Sequence, residues 1–181
     1  MFRSAGIEMA DFNFSEFYLE DLHGAEPPAT HQRFADMARH LQEVAPPGRL
    51  PGRQHFNPCA YPTLLSLLNL VEVERQNGEM RFRYRLVGEQ QDRAAGRKIK
   101  GLVVEEAVVP ELVARINANM RRVVEIRVPL YDRFPMPHPN REFIDSERMY
   151  YPLASDGETV DMILILNGYQ NLPQAASIWT A

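Results

Sequence analysis

The amino-acid sequence predicts an α+β fold: a five-stranded antiparallel sheet with helices on one face and an N-terminal helix in front. Three observations carry this. Asn77-Gly78 separates two alternating segments, LVEVERQ and EMRFRYRLV, and Asn-Gly is the preferred pair for a type I′ hairpin turn. A long helical stripe follows, running from Leu112 to Val124. The chain then returns to alternation in ERMYYPLA and TVDMILILNGY, joined at Asp156-Gly157, a second hairpin signal. Strands grouped at two ends of the chain, with helices between them, define the α+β class.

The elements follow in order. Residues 1–29 form an arm rich in Phe12, Phe14, Phe17, Tyr18, Leu19 and Leu22, without a clean period, closed by Gly24, Pro27 and Pro28. The domain occupies 30–170, and 171–181 form a tail. Thr30 is an N-cap for HQRFADMARHLQEVA, whose Phe34, Met37, Ala38, Leu41 and Val44 share one stripe. Pro46, Pro47 and Gly48 stop that helix. The Asn77-Gly78 turn places Val73 opposite Phe82 and Val71 opposite Tyr84 on one face, and Glu72 opposite Arg83 and Glu74 opposite Arg81 on the other. EQQDRAA is a short polar helix ending at Gly96. RKIKGLVVEEAVV connects it to a helix that starts at Pro110 and buries Leu112, Val113, Ile116, Met120, Val123 and Val124. EIRVPLY reads as a strand whose Pro129 marks an edge or a bulge, and Asp132 to Arg141 as a Pro-rich loop. In the last hairpin Leu153 faces Val160, Tyr151 faces Met162 and Met149 faces Leu164. Ile163 and Ile165 lie on the opposite face, to be covered by the first helix or the arm, from the same chain or a second copy.

Composition excludes several classes. Twenty Lys+Arg against 24 Asp+Glu give a net charge of −4, without the footprint of a nucleic-acid binder. One cysteine excludes an internal disulfide and fits a reducing compartment. The longest strongly apolar run, Met162 to Leu166, is too short to cross a bilayer. The start, MFRSAGIEMADFNF, puts acids where a signal peptide needs an apolar core. The expectation is a cytoplasmic protein with no membrane and no nucleic-acid partner.

The element order is the PAS order, and the residues sharpen it. GRLPGRQHFNPCAYPTLLSLLNLVEVER, FRYRLVG, AAGRKIKG and YYPLASDGETVDMILI resemble a bacterial family of stand-alone PAS-like proteins, over roughly residues 30–170. Its pattern is an "lPsR…dP" segment, an "fryRlvGt" strand, a "G.d.tG" turn and a terminal "PL..dG..v..il" hairpin. The resemblance implies a sensory or protein-interaction role. It also implies a ligand cavity between the sheet and the helices, and a dimer through the first helix. Two departures stand out: Glu89 replaces a usual small residue, and QQDRAA is more polar than the family's apolar stretch.

Enzyme motifs are missing: no G-x-S-x-G, Walker A, G-x-G-x-x-G or H-E-x-x-H occurs. His55 and Cys59 are four apart, but Pro58 between them disfavours a shared helix face, and a loop histidine beside a small thiol is the plainer reading. His31 and His40 fall on opposite sides of one helix, and His138 lies in the Pro-rich loop. Any of the five histidines could ligate a haem, and nothing selects one. No metal site or catalytic residue is assigned, and the cofactor is unknown. Arg81, Arg83 and Arg85, with Arg127, invite an anion, yet Glu72 and Glu74 are placed to neutralise two of them.

The expected function is therefore a non-enzymatic PAS-like sensory, ligand-binding or protein-interaction module, acting as a homodimer on a regulatory partner. Its cavity would have Tyr84, Met149, Tyr151 and Met162 as a sheet wall and Val103, Ile116 and Met120 as a helical wall. The polar QQDRAA helix makes the mouth wet, which suits a small amphipathic ligand. The alternatives are a hot-dog-type acyl thioesterase, with Glu105, Glu106 or Glu111 as base, and a structural adaptor whose cavity its own side chains fill. The hairpin before the helices and three strands after them favour the PAS reading.

Overall fold

The computed structural model describes residues 31–135 and 145–170. The aromatic arm, the Pro-rich loop with His138 and the tail lie outside them. Helix α1 (His31–Val44) leads through three short 3-10 turns to β1 (Leu68–Gln76) and β2 (Glu79–Leu86). Helices α2 (Glu89–Ala95), α3 (Val104–Ala107) and α4 (Pro110–Ile126) follow, and β3 (Leu130–Pro135), β4 (Asp145–Leu153) and β5 (Met162–Gln170) close the sheet. Its order is β2-β1-β5-β4-β3, every neighbour antiparallel. This is the PAS-like α+β architecture that the element order predicts. Among the described residues no helix is long and apolar enough to cross a membrane.

Two cores flank the sheet. On one face Val71, Phe82, Ile163 and Ile165 pack against Ile116, Met120 and Val123 of α4. On the other, Leu68, Leu70, Leu164 and Leu166 pack against Phe34, Met37 and Leu41 of α1. Alternation assigns each strand residue to one core, because successive side chains point to opposite faces. The expected pairing of faces and helices is thereby inverted. Ile163 and Ile165 lie under α4, and α1 covers Leu164 and Leu166. Alternation shows that β5 is apolar on both faces; which helix covers which face is set by how the chain crosses the sheet.

The first hairpin follows its turn chemistry. Asn77 (φ 52°) and Gly78 (φ 82°) take the positive angles of a type I′ turn, and the register sets Val73 against Phe82, Glu72 against Arg83 and Glu74 against Arg81. The ion pairs are diagonal, however. Arg83 Nε and Nη2 donate to Glu74 at 2.5 and 3.2 Å, and Arg85 Nε donates to Glu72 at 2.6 Å. Long side chains reach diagonal partners readily, and Arg83 also donates to the Gly101 carbonyl at 2.7 Å. A register shift between Leu70 and Val71 turns Leu86 toward the α1 core.

The second hairpin is wider than the Asp156-Gly157 signal predicts. Leu153 pairs with Met162, Tyr151 with Leu164 and Met149 with Leu166, two residues later than expected on β5. The Asp156 carboxylate accepts from the Glu158 and Thr159 amides at 2.8 and 2.7 Å, and Asp161 accepts from the Ser155 amide at 3.1 Å. These bonds build a longer loop, and an even shift leaves every face unchanged. The third difference concerns β3. Helix α4 continues to Ile126 and ends at Arg127 in the left-handed region (φ 60°). Pro129, which cannot donate to a ladder, then precedes the strand, so pairing begins at Leu130 and takes in Asp132.

Arg83's hydrogen bond to Glu74 holds that carboxyl below the usual carboxylate range. A depressed value means stability present above the ordinary carboxylate pKa and lost as pH falls through the lower folded value. A double-mutant cycle of Glu74→Gln and Arg83→Gln, followed by urea unfolding, is expected to give favourable coupling at neutral pH. The coupling weakens in high salt and disappears in acid. A cycle of Glu72→Gln with Arg83→Gln is expected to couple more weakly.

Candidate functional site

The residues expected to line one cavity stand on two faces of the sheet. Tyr84, Ile116 and Met120 belong to the core beneath α4, whereas Met149 and Tyr151 belong to the core beneath α1, with Met162 packed at its margin. Strand β4 places Tyr150, not its neighbours Met149 and Tyr151, toward α4. Val103 is buried, but it bridges to Arg83 at the edge of β2, and its neighbour Val104 enters the α4 core. The seven residues therefore do not enclose a common space. The interior between sheet and α4 is filled by Ile116, Met120 and Val123 on Val71, Ile163 and Ile165. A small recess lies on the other side, lined by Ala38, Leu41, Gln42, Pro51, Pro129, Tyr151 and Pro152. Its volume of about 10 Å³ has room for one water molecule.

A buried polar group beneath α4 is the candidate site. Strand β4 alternates, so Ser146, Arg148 and Tyr150 point the same way, and the register sets Arg148 between Asp132 of β3 and Asn167 of β5. Asp132 is buried. Arg115 of α4 donates to it through Nε, 3.0 Å from each carboxylate oxygen, and also through Nη2. Asn119, one turn further along α4, donates to it at 2.7 Å. The guanidinium groups of Arg115 and Arg148 lie 5.4 and 5.1 Å from the centroid of the Phe134 ring, within cation–π range.

The four fully buried tyrosines divide by face. Beneath α1, Tyr151 donates to the Phe34 carbonyl at 2.8 Å and Tyr131 donates to the buried Glu147 at 2.8 Å. Beneath α4, the hydroxyls of Tyr84 and Tyr150 have no hydrogen-bond partner among the described residues, although these side chains are 1% and 0% exposed. Ser146 Oγ and Asn167 Oδ1 share that condition; the Asn167 amide donates to the Leu67 carbonyl at 3.0 Å. Buried polar groups are nearly always paired, and an unpaired one costs about 1–3 kcal/mol. Burial pushes both phenols above their usual range, and the nearby Arg148 charge opposes the rise at each. Both therefore stand as protonated donors at neutral pH.

The other residues singled out in the sequence do not assemble. His55 Nδ1 accepts from the Gly52 amide at 2.9 Å, and Cys59 is exposed, its amide donating to Asn57 at 3.1 Å. His40 packs edge-on against Tyr61 and Phe56. Arg83 and Arg85 are paired to the hairpin glutamates. Glu105, Glu106 and Glu111 are exposed, away from the buried polar group. Among the described residues no three His, Cys, Asp or Glu side chains come together as metal ligands. Sequence reasoning missed Arg148, Asp132, Asn119 and Tyr150. The alternation of SERMYY carried the signal for Arg148 and Tyr150; nothing local marks Asp132 or Asn119 as partners of a buried charge.

No family model and no curated protein matches this chain. Solved structures are similar to it at low identity. A structure of RsLOV is 17% identical, covers 60% of this chain with a TM-score of 0.43, and 62% of its own length is matched. The Rhodobacter sphaeroides LOV protein is 14% identical over 66% of this chain and 71% of its own, with a TM-score of 0.45. A sensory box sensor histidine kinase from Vibrio cholerae is 14% identical over 80% of this chain and 98% of its own, with a TM-score of 0.39.

The division of the tyrosines gives a direct expectation. Tyr151→Phe removes a made hydrogen bond and should lower stability by about 0.5–1.5 kcal/mol, whereas Tyr84→Phe and Tyr150→Phe remove unpaired hydroxyls and should leave it equal or raise it. Urea unfolding of the ligand-free protein measures all three.

Proposed function

We propose that the chain is a non-enzymatic, cytoplasmic PAS-like sensory module that binds a small molecule between its sheet and α4. One observation carries this reading: two buried phenols without partners converge beside Arg148 under α4. A natural interior rarely leaves such groups unpaired without a reason, and an absent ligand is one. The thioesterase alternative has no comparable support, since its candidate bases are exposed carboxylates outside this interior. The structural adaptor is the second reading, favoured by the close-packed side chains that occupy the same space.

Native mass spectrometry of the freshly purified chain separates the two. A retained small molecule, lost on mild unfolding, is expected for the sensor. A bare chain that no metabolite stabilises in a thermal-shift screen identifies the adaptor.

A homodimer through α1 belongs to the same proposal. Phe34, Met37 and Leu41 cover the chain's own sheet, so a second copy would meet the outer side of α1, with Gln32, Arg33, Asp36, Arg39 and Glu43 exposed. Such a polar surface gives a weak interface. Sedimentation is expected to show self-association that Arg33→Glu together with Arg39→Glu changes; a monomer at tens of micromolar overturns it.

A further inference from the structure

The geometry points to a short aliphatic carboxylate as the ligand, its oxygens accepting from the Tyr84 and Tyr150 hydroxyls beside the Arg148 guanidinium. This inference rests on the ligand-binding reading above and names the chemistry of that site. Tyr84 reaches over the sheet from β2 and Tyr150 from β4, and each feels the other and Arg148. The two orphaned hydroxyls can donate, and a carboxylate takes such bonds more strongly than a neutral oxygen does. Arg148 stands two residues from Tyr150 on the same face of β4, so its charge offsets the desolvation of a buried anion. Asp132, the nearby acid, is already held by Arg115 and Asn119, which reduces its repulsion of a second carboxylate.

The rest of the wall is aliphatic: Val71, Ile163 and Ile165 below, Ile116 and Met120 above. That selects an alkyl tail, and the closed packing keeps it short. Met120 is unbranched and buried against this wall, and a methionine repacks more easily than a β-branched neighbour. A cation is disfavoured, since the site offers hydroxyl donors beside a guanidinium.

Thermal unfolding of the full chain in sodium propionate tests this, with sodium chloride at equal ionic strength and propionamide as controls. Propionate is expected to raise the melting temperature saturably, as a ligand specific to the folded state must, and propionamide is not. Tyr84→Phe and Tyr150→Phe should each stay folded and weaken propionate about tenfold, the effect of one hydrogen bond to a charged group. Tyr151→Phe, on the opposite face, should keep the full response. No saturable rise in the wild type, or a rise unchanged in both Tyr84→Phe and Tyr150→Phe, overturns the carboxylate. An equal response to propionamide overturns the anion. If propionate fails while native mass spectrometry finds another retained molecule that Tyr84→Phe releases, the carboxylate is wrong and the sensory reading stands. If both fail, the hydroxyls are served by water alone and both are overturned.

Discussion

The structure depends on burying both faces of β5. Ile163 and Ile165 point one way and Leu164 and Leu166 the other, and all four are at most 1% exposed. Burying each such side chain stabilises the fold by roughly 1.5–3 kcal/mol, so leaving either face open would be costly on the scale of a domain's net stability. The central place of β5 in the order β2-β1-β5-β4-β3 follows, since a strand apolar on both sides needs neighbours on both edges and a helix over each face. The amphipathic stripes of α1 and α4 are the two covers. The other elements connect these layers or close their ends.

Within that sandwich the two faces treat polarity differently. Beneath α1 the phenols of Tyr131 and Tyr151 find acceptors in Glu147 and in the first turn of the helix, at Phe34. Gly168 keeps this layer thin: a Cβ there would come 3.2 Å from Glu147 Oε2 and 3.3 Å from the Phe34 ring. Beneath α4 a charged group is sealed in, with Asp132 neutralised by Arg115 and bridged by Asn119, while the hydroxyls of Tyr84 and Tyr150 stay unpaired. The α1 side is a finished core. The α4 side holds groups that another molecule could complete, and a functional reading belongs there.

The edge of β2 shows how the chain limits an exposed ladder. Tyr84 exchanges backbone hydrogen bonds with the connector, donating to Leu102 at 3.0 Å and accepting from Gly101 at 2.7 Å. Charged side chains occupy the outward face of the same strand, which discourages pairing with another chain. The close approach of Gly88 to Ser66 fixes where α2 begins. A Cβ at Gly88 would lie 2.4 Å from the Ser66 carbonyl oxygen, and the Gly88 amide donates to Asn69 at 3.0 Å.

By itself the sequence determined what local forces decide. Asn77-Gly78 set the first hairpin and its register, Pro110 started α4, Gly96 ended α2, and the period of each segment separated strands from helices. The alternation of MILIL was enough to show a strand buried on both sides. Only the tertiary structure decided which helix lies over which face, because alternation divides a strand's residues into two sets without saying what covers each. That one choice parted Met149 and Tyr151 from Tyr84 and brought Tyr150 and Arg148 beside it. The diagonal Glu–Arg pairs and the wide second hairpin have the same origin, since side-chain reach and carboxylate–amide bonds act through space. The Asp132–Arg115–Asn119 group joins residues from a strand and a helix that share no pattern in the sequence. It exists because a buried carboxylate requires partners and α4 passes within reach.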